Sequence, residues 1–292
     1  MIDLHCHILP GLDDGAADLG VALEMARAFV ADGVAVVACT PHILPGLYHN
    51  SADGIRNATS ALQAVLEREG IPLRLVPGAD NHIAPDGPAR LRSGQMLALA
   101  DSRYVLIEPP HNVVPQRIEA AFFDLQLAGY VPILTHPERL KWIEGHAHLI
   151  RKLAVAGVWM QITAGSLAGS FGSRAQYWAE RLLEEGCAHI LATDAHDVDR
   201  RRPDLSRGAE LAARRVGHEE AWHLVSTRPR GVLDNVPTAD LPLPERLGRF
   251  SGLLHGGDGV IGEGVDAPKS QGASAGRGLR GITGRLRRLL AV

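Results

Sequence analysis

Met1-Ile2-Asp3-Leu4-His5-Cys6-His7 opens the chain as a short apolar strand that ends in a His-x-His pair. Alternate side chains of a strand share a face, so His5 and His7 point the same way. Two imidazoles side by side at a strand end form half of a metal site. Taken alone, the pair reads equally well as two polar histidines satisfied by backbone or water. Leu9-Pro10-Gly11-Leu12-Asp13-Asp14-Gly15 follows as a polar loop. The ends of the other strands separate the two readings.

Six further apolar runs read as strands buried on both faces, the mark of a parallel sheet: 34–39, 73–77, 104–107, 131–134, 158–162 and 190–192. Helical patterns lie between them. Leu19, Ala22, Met25, Ala26 and Phe29 share one face, and Gly33 follows as a stop. Ile55, Leu62, Val65 and Leu66 line a second helix ending at Gly70, and Ile118, Phe122 and Leu125 a third ending at Gly129. This alternation predicts an α/β fold with right-handed crossovers and a parallel sheet, open or closed into a barrel.

After the first strand come His5, His7 and Asp14, and after the second Thr40-Pro41-His42. The third is followed by Gly78-Ala79-Asp80, the fourth by Glu108-Pro109. The fifth ends in Thr135-His136-Pro137-Glu138-Arg139, the seventh in Thr193-Asp194-Ala195-His196. Barrels and open α/β sheets build their sites at the C-terminal ends of strands. Polar residues end strands in any protein, which accounts for one or two of these but not for six. The pattern predicts a multinuclear metal site with nine candidate ligands: His5, His7, Asp14, His42, Asp80, Glu108, His136, Asp194 and His196. One tetrahedral zinc needs about four ligands, so nine suggest two or three ions with bridging carboxylates. Nitrogen and oxygen donors without thiolate suit Mn, Fe or Zn. Cys6 alternates away from the histidines and reads as a small core residue.

The 292 residues carry a formal net charge of -3, with 46% hydrophobic and 22% charged residues. That describes a soluble globular chain with no global basic field for nucleic acid. No apolar stretch reaches the roughly 18 residues of a membrane span. The N-terminus has no basic region followed by an apolar one. The three cysteines, Cys6, Cys39 and Cys187, form no disulfide framework, which points to the cytoplasm. None is followed six positions later by arginine, which argues against a thiolate-based phosphatase loop.

The opening Met1–Gly15 stretch, Thr-Pro-His at 40–42, Thr-His-Pro-Glu-Arg at 135–139 and Thr-Asp-Ala-His at 193–196 occur in an order and spacing that resembles a known family. It is the bacterial polymerase-and-histidinol-phosphatase (PHP) domain tyrosine phosphatases of the CpsB/CapC type, and the similarity covers about residues 1–235. The resemblance implies a distorted TIM-like barrel of seven β/α units with a trinuclear, manganese-favouring site. It implies hydrolysis of phosphotyrosine on the cytoplasmic kinase that controls capsule or exopolysaccharide export. By resemblance the nine residues are the metal ligands, with Arg139 and Arg201 as phosphate-binding arginines. The sequence departs at Asp80, where the family usually carries Glu, one methylene longer. In Arg200-Arg201-Arg202-Pro203 the second arginine fits the spacing from Asp194 best, with Arg202 as the alternative.

Such a site suits a phosphomonoester dianion. Paired ions lower the pKa of a bridging water and clamp the reacting oxygens, while arginines hold the others bidentately. The same ligands serve a histidinol-phosphatase-like small-molecule phosphoesterase, so the sequence leaves that reading open. A nuclease module is disfavoured by the net charge, and a scaffold that keeps metal only for stability is the remaining class.

His146-Ala147-His148 repeats the His-x-His spelling, but 144–153 reads as a helix start, where positions two apart diverge. It is expected on a solvated face. His49, His82 and His111 are expected on loops beside the site, more as surface histidines than as its rim, and Tyr48 is a candidate substrate contact that nothing in the sequence tests. The phosphatase domain is expected over 1–247, followed by a glycine-rich flexible linker over 248–278. In the tail, 279–292, leucines recur near helical spacing among arginines. It reads as a disordered basic tail, or as an amphipathic helix that docks on a partner or the inner membrane face.

Overall fold

The computed structural model describes residues 1–247. The stretch 248–278 and the tail 279–292, with the linker and membrane-surface expectations attached to them, lie outside the described residues. The strands are β1 (Ile2–Cys6), β2 (Val36–Cys39), β3 (His42–Leu44), β4 (Tyr48–His49), β5 (Arg74–Pro77), β6 (Asp80–His82), β7 (Tyr104–Glu108), β8 (Val131–Thr135), β9 (Trp159–Thr163) and β10 (Ile190–Ala192). Among the helices are α1 (Leu19–Ala31), α2 (Ala52–Arg68), α3 (Gly87–Ser93), α4 (Ile118–Leu127), α5 (Ile143–Val155), α6 (Ala164–Leu167), α7 (Gly172–Glu184) and α8 (Leu205–Val216).

All seven apolar runs form strands. β3, β4 and β6 fall where the sequence predicts loops, so His49 and His82 sit in short strands instead. The reason lies in the two breaks. The chain leaves β2 at Thr40-Pro41, where proline offers no N–H, and resumes pairing as β3. It leaves β5 at Gly78-Ala79 and resumes as β6. A Cβ on Gly78 would stand 2.8 Å from Leu99 Cδ2 and 3.2 Å from Thr40 Cγ2, so glycine lets the two breaks pack side by side.

The pairing is parallel throughout except for the β3–β4 hairpin. The α/β expectation with a parallel sheet holds. The breaks divide the ladder into a three-stranded sheet, β1-β2-β5, and a seven-stranded one, β10-β9-β8-β7-β6-β3-β4. The sheets meet at the Cys6–Ala195 bridge. There Asp194 N–H donates to His5 O (2.8 Å) and His7 N–H to Ala195 O (2.9 Å). Across the same seam Asp3, fully buried, accepts Thr193 N–H and Oγ1–H.

Strands β1, β2, β7, β8, β9 and β10 bury both faces, against different partners. Val37, Cys39, Val105, Ile107, Leu134, Met160 and Leu191 pack with the helices, including the apolar face of α1 (Ala22, Met25, Ala26, Phe29). Ile2, Leu4, Val36, Ala38, Val76, Tyr104, Leu106, Ile133, Trp159 and Ile190 form a second cluster that the strands share. Asp18 starts α1 by accepting Val21 N–H (3.0 Å), and Gly33 at φ 80° follows its end. Burying a side chain such as Phe29 contributes about 2 kcal/mol.

β1 does not alternate strictly. Ile2 and Leu4 face the shared cluster, and simple alternation would turn His5 and His7 away from it. The pairing with β2 shifts register between Asp3 and Cys6, a bulge that re-aims the residues after it. His5 thereby meets Gln161, two residues along β9 from the interior Trp159.

Candidate metal centre

The nine sequence-predicted ligands converge at the C-terminal ends of the strands. They fall into overlapping groups whose donor atoms lie within 4.8 Å of one another. One group is His7, Asp14, His42 and His196, and another is His5, His136 and Asp194. The others are His5, His7 and Asp80; His42, Asp80 and Glu108; and Glu108, His111 and His136. His111, expected as a surface histidine, therefore belongs to the cluster, its Nε2 donating to Glu108 Oε1 at 3.0 Å. His49 and His82 join no such group, nor do His146 and His148, which lie on α5.

The donor set fits cations. His5 Nε2 is 3.5 Å from Asp80 Oδ2 and 3.4 Å from Asp194 Oδ1. His42 Nδ1 is 3.5 Å from both Asp80 Oδ2 and Glu108 Oε2. Those separations are long for hydrogen bonds and natural for atoms that share an ion. Both Asp80 oxygens, His42 Nδ1, His136 Nδ1 and His196 Nε2 are buried without a hydrogen-bond partner among the described residues. Leaving such atoms unpaired costs free energy that a cation among them would offset. Asp80, one methylene shorter than glutamate, still reaches both His5 and His42.

Outer partners hold the imidazoles in place. His7 Nδ1 lies 2.6 Å from Asp13 Oδ2, His5 Nδ1 2.8 Å from Gln161 Oε1, and His196 Nδ1 3.0 Å from Asp194 O. Such contacts select the tautomer that aims the other nitrogen inward. Asp13 also accepts the His42 and Gly15 N–H groups. Gly15 is required there: a Cβ would stand 2.1 Å from His7 O. The sequence reading singled out Asp14 alone, although Asp13 stands beside it. Gln161 and Asp13 each serve a histidine that only the folded chain brings near.

Of the described non-glycine residues in the left-handed region, which such residues rarely adopt, two belong to the site, His136 at φ 33° and Asp194 at φ 52°. Both are in the cluster. Glu138, in the same turn as His136, is fully buried and is no member of the groups. Its Oε1 accepts Thr163 N–H (3.0 Å) and Ser166 Oγ–H (2.8 Å), which ties the β8 turn to β9 and α6.

Burial disfavours the charge on Asp194, yet His5, Arg201 and Arg139 hold its carboxyl well below the usual range. His7 is desolvated too, but Asp13 and Asp194 raise it to about 10. For His136 burial dominates, helped by Arg139, and its imidazole stays neutral. His196 is likewise lowered, by burial and then His7. Neutral imidazole is the ligating form.

Arg139 and Arg201 both donate to Asp194 Oδ2. Arg202 does not reach it and is exposed. A turn selects Arg201: Asp197 Oδ1 accepts the N–H groups of Asp199, Arg200 and Arg201. The Phe171 ring, which no sequence signal marked, lies 4.4 Å under the Arg139 guanidinium and 6.0 Å from that of Arg201. Arg174 completes the support by donating to Leu140 O and Arg139 O. Arg139, Arg201 and Asp194 open on a pocket of about 300 Å³ that also includes Asp14, His42, Glu108, His111 and His136.

The profile of the family described as capsular polysaccharide synthesis, CpsB/CapC, matches residues 1–234. The chain belongs to the CpsB/CapC family. Tyrosine-protein phosphatase YwqE of Bacillus subtilis is 41% identical over 224 residues, 77% of this chain and 88% of that protein. Tyrosine-protein phosphatase CpsB of Streptococcus pneumoniae is 24% identical over 238 residues, 80% of this chain and 98% of that one. A crystal structure from work on YwqE and CpsB, described as unique metal-dependent tyrosine phosphatases, superposes with a TM-score of 0.78. It shares 39% sequence identity and covers 81% of this chain and 96% of its own. This CpsB/CapC member thus has the fold of relatives whose chemistry needs a metal.

Proposed function

We propose that this protein is a metal-dependent protein-tyrosine phosphatase acting on phosphotyrosine of a bacterial tyrosine kinase in capsular or exopolysaccharide synthesis. The observation that carries the reading is the convergence of two guanidiniums on Asp194 at the rim of a histidine–carboxylate cluster. The relatives named tyrosine-protein phosphatases support the substrate class, and the capsule-synthesis family supports the kinase partner.

The proposed ligands are His5, His7, Asp14, His42, Asp80, Glu108, His136, Asp194 and His196, for two or three ions. Manganese is the proposed metal, since the donors are imidazole and carboxylate without thiolate; iron and zinc accept the same set. Divalent ions, when bound, supply Lewis-acid neutralisation of phosphate charge and lower the pKa of water toward neutrality. Arg139 and Arg201 hold the non-bridging phosphate oxygens, their forks suited to bidentate contact. Phe171 keeps the Arg139 guanidinium in place, and Asp13 and Gln161 fix two of the imidazoles. A phenol leaves more readily than an alkanol, so this site needs no dedicated acid at the leaving oxygen.

The test is a side-by-side assay of a phosphotyrosine peptide, histidinol phosphate and single-stranded DNA with Mn²⁺, repeated in excess EDTA after dialysis. Turnover of the phosphotyrosine peptide that Mn²⁺ restores and EDTA abolishes is the expected result. Full turnover in EDTA, or preference for histidinol phosphate or DNA, overturns the reading. A cytoplasmic location belongs to the same proposal, supported by three free, buried cysteines. No described helix is long and apolar enough to cross a membrane.

A further inference from the structure

The site pocket has two kinds of lining. One is charged: Arg139, Arg201 and the imidazole–carboxylate cluster. The other is an apolar strip from the β3–β4 hairpin, Leu44, Leu47 and Tyr48. The hairpin is built to stay in place. Leu44 pairs with Tyr48 and Ile43 with His49, Leu47 N–H donates to Leu44 O (3.0 Å), and Asn50 Nδ2 ties its base to Leu12 O (3.0 Å) and His42 O (2.9 Å). The Tyr48 ring stacks on His42, centroids 5.6 Å apart and planes within 14°. Leu47 at the tip is 64% exposed. A lone exposed leucine needs no explanation, but here two leucines and a fixed aromatic ring edge the pocket that receives substrate.

An aryl phosphate is itself two-sided, a dianion joined to an apolar ring, whereas an alkyl phosphate carries only the dianion. We propose that Leu44, Leu47 and Tyr48 form an aryl platform. It receives the phenyl ring of phosphotyrosine and sets the preference for aryl over alkyl phosphomonoesters. This rests on the tyrosine-phosphatase reading and adds the residues that make it selective. The charged groups bind the phosphate of either substrate class alike. The hairpin rewards only the ring, through apolar contact and offset stacking.

The experiment compares kcat/KM for a phosphotyrosine peptide with that for the same peptide carrying phosphoserine, in the Mn²⁺-loaded full chain. The ratio cancels any disturbance common to both substrates, including one passed through His42. Tyr48→Ala and Leu47→Ala are expected to lower the aryl-to-alkyl ratio about three- to ten-fold each, mainly through KM for the aryl substrate. Tyr48→Phe, which keeps the ring, restores the wild-type ratio. An unchanged ratio in both alanine variants overturns the platform and leaves the phosphatase reading standing. So does equal loss toward both substrates, with native circular dichroism and metal content. A wild-type protein that cleaves phosphoserine but not phosphotyrosine peptide overturns both.

Discussion

Arg139 and Arg201 reach Asp194 Oδ2 from different loops, and Asp194 holds its position at φ 52° because its N–H is bound to His5 O across the seam. On the proposed chemistry the arginines matter for fork geometry as well as charge. Arg139→Ala is therefore expected to lower kcat/KM for a phosphotyrosine peptide about 100-fold or more, and Arg139→Lys to recover little of it. Steady-state kinetics at fixed Mn²⁺ measure this; full recovery by lysine would show that a point charge suffices. Asp13 acts one shell further out. Its 2.6 Å contact with His7 Nδ1 orients an inward-facing nitrogen. Asp13→Ala is expected to weaken metal binding about 10- to 100-fold with the fold intact, measured by competition with a chromophoric chelator.

At the scale of elements, the loop after β1 passes so close to His7 that only glycine fits at position 15. A Cβ would lie 2.4 Å from His7 Cβ as well as against its carbonyl. Gly15→Ala is expected to cost about 1–3 kcal/mol of stability and to lower metal affinity, because the loop that carries Asp13 and Asp14 must shift. Gly145→Ala is the control: nothing lies within 4 Å of its Cβ, and it sits in α5. That change is expected to stabilise by up to about 1 kcal/mol. Urea unfolding of both variants decides the matter. The strand ends were legible at this scale because an apolar run followed by His, Asp or Glu is a local signal. The hairpin was not: β3 and β4 are short, and they exist because the chain resumes pairing after Pro41.

The whole molecule buries titratable groups away from the site, and His189 is the clearest. Its ring lies against Trp159, at 5.3 Å and 17°, and its Nδ1 accepts Met160 N–H at 3.2 Å. Burial, and then the charge of Arg228, lower it to about 3. The unfolded chain takes up this proton near pH 6.5, the folded chain only near 3. Between those values the unfolded state binds more protons, so this contribution is constant above about pH 6.5 and stability falls as pH drops below it. The slope from this one group is about 1.4 kcal/mol per pH unit. In EDTA, so that metal loading does not change, His189→Gln is expected to show a shallower loss of urea-unfolding free energy between pH 6 and pH 5. An equal slope in the variant would assign the acid sensitivity elsewhere.

The amino-acid sequence by itself determined the order of the seven strands built from apolar runs and of three of the helices between them, the end of the strands that carries polar chemistry, and the nine residues gathered there. Those are properties of short windows: apolar runs, periodicity, and the residue that follows a run. Only the tertiary structure decided which polar side chain meets which. His5 meets Gln161 across 156 positions, and Asp3 meets Thr193 across 190. It also turned His5 and His7 inward through a register shift, brought His111 to Glu108, and chose Arg201 over Arg202 through the Asp197 turn. The physical reason is that these outcomes depend on distances set by sheet pairing and loop closure, which no local pattern encodes.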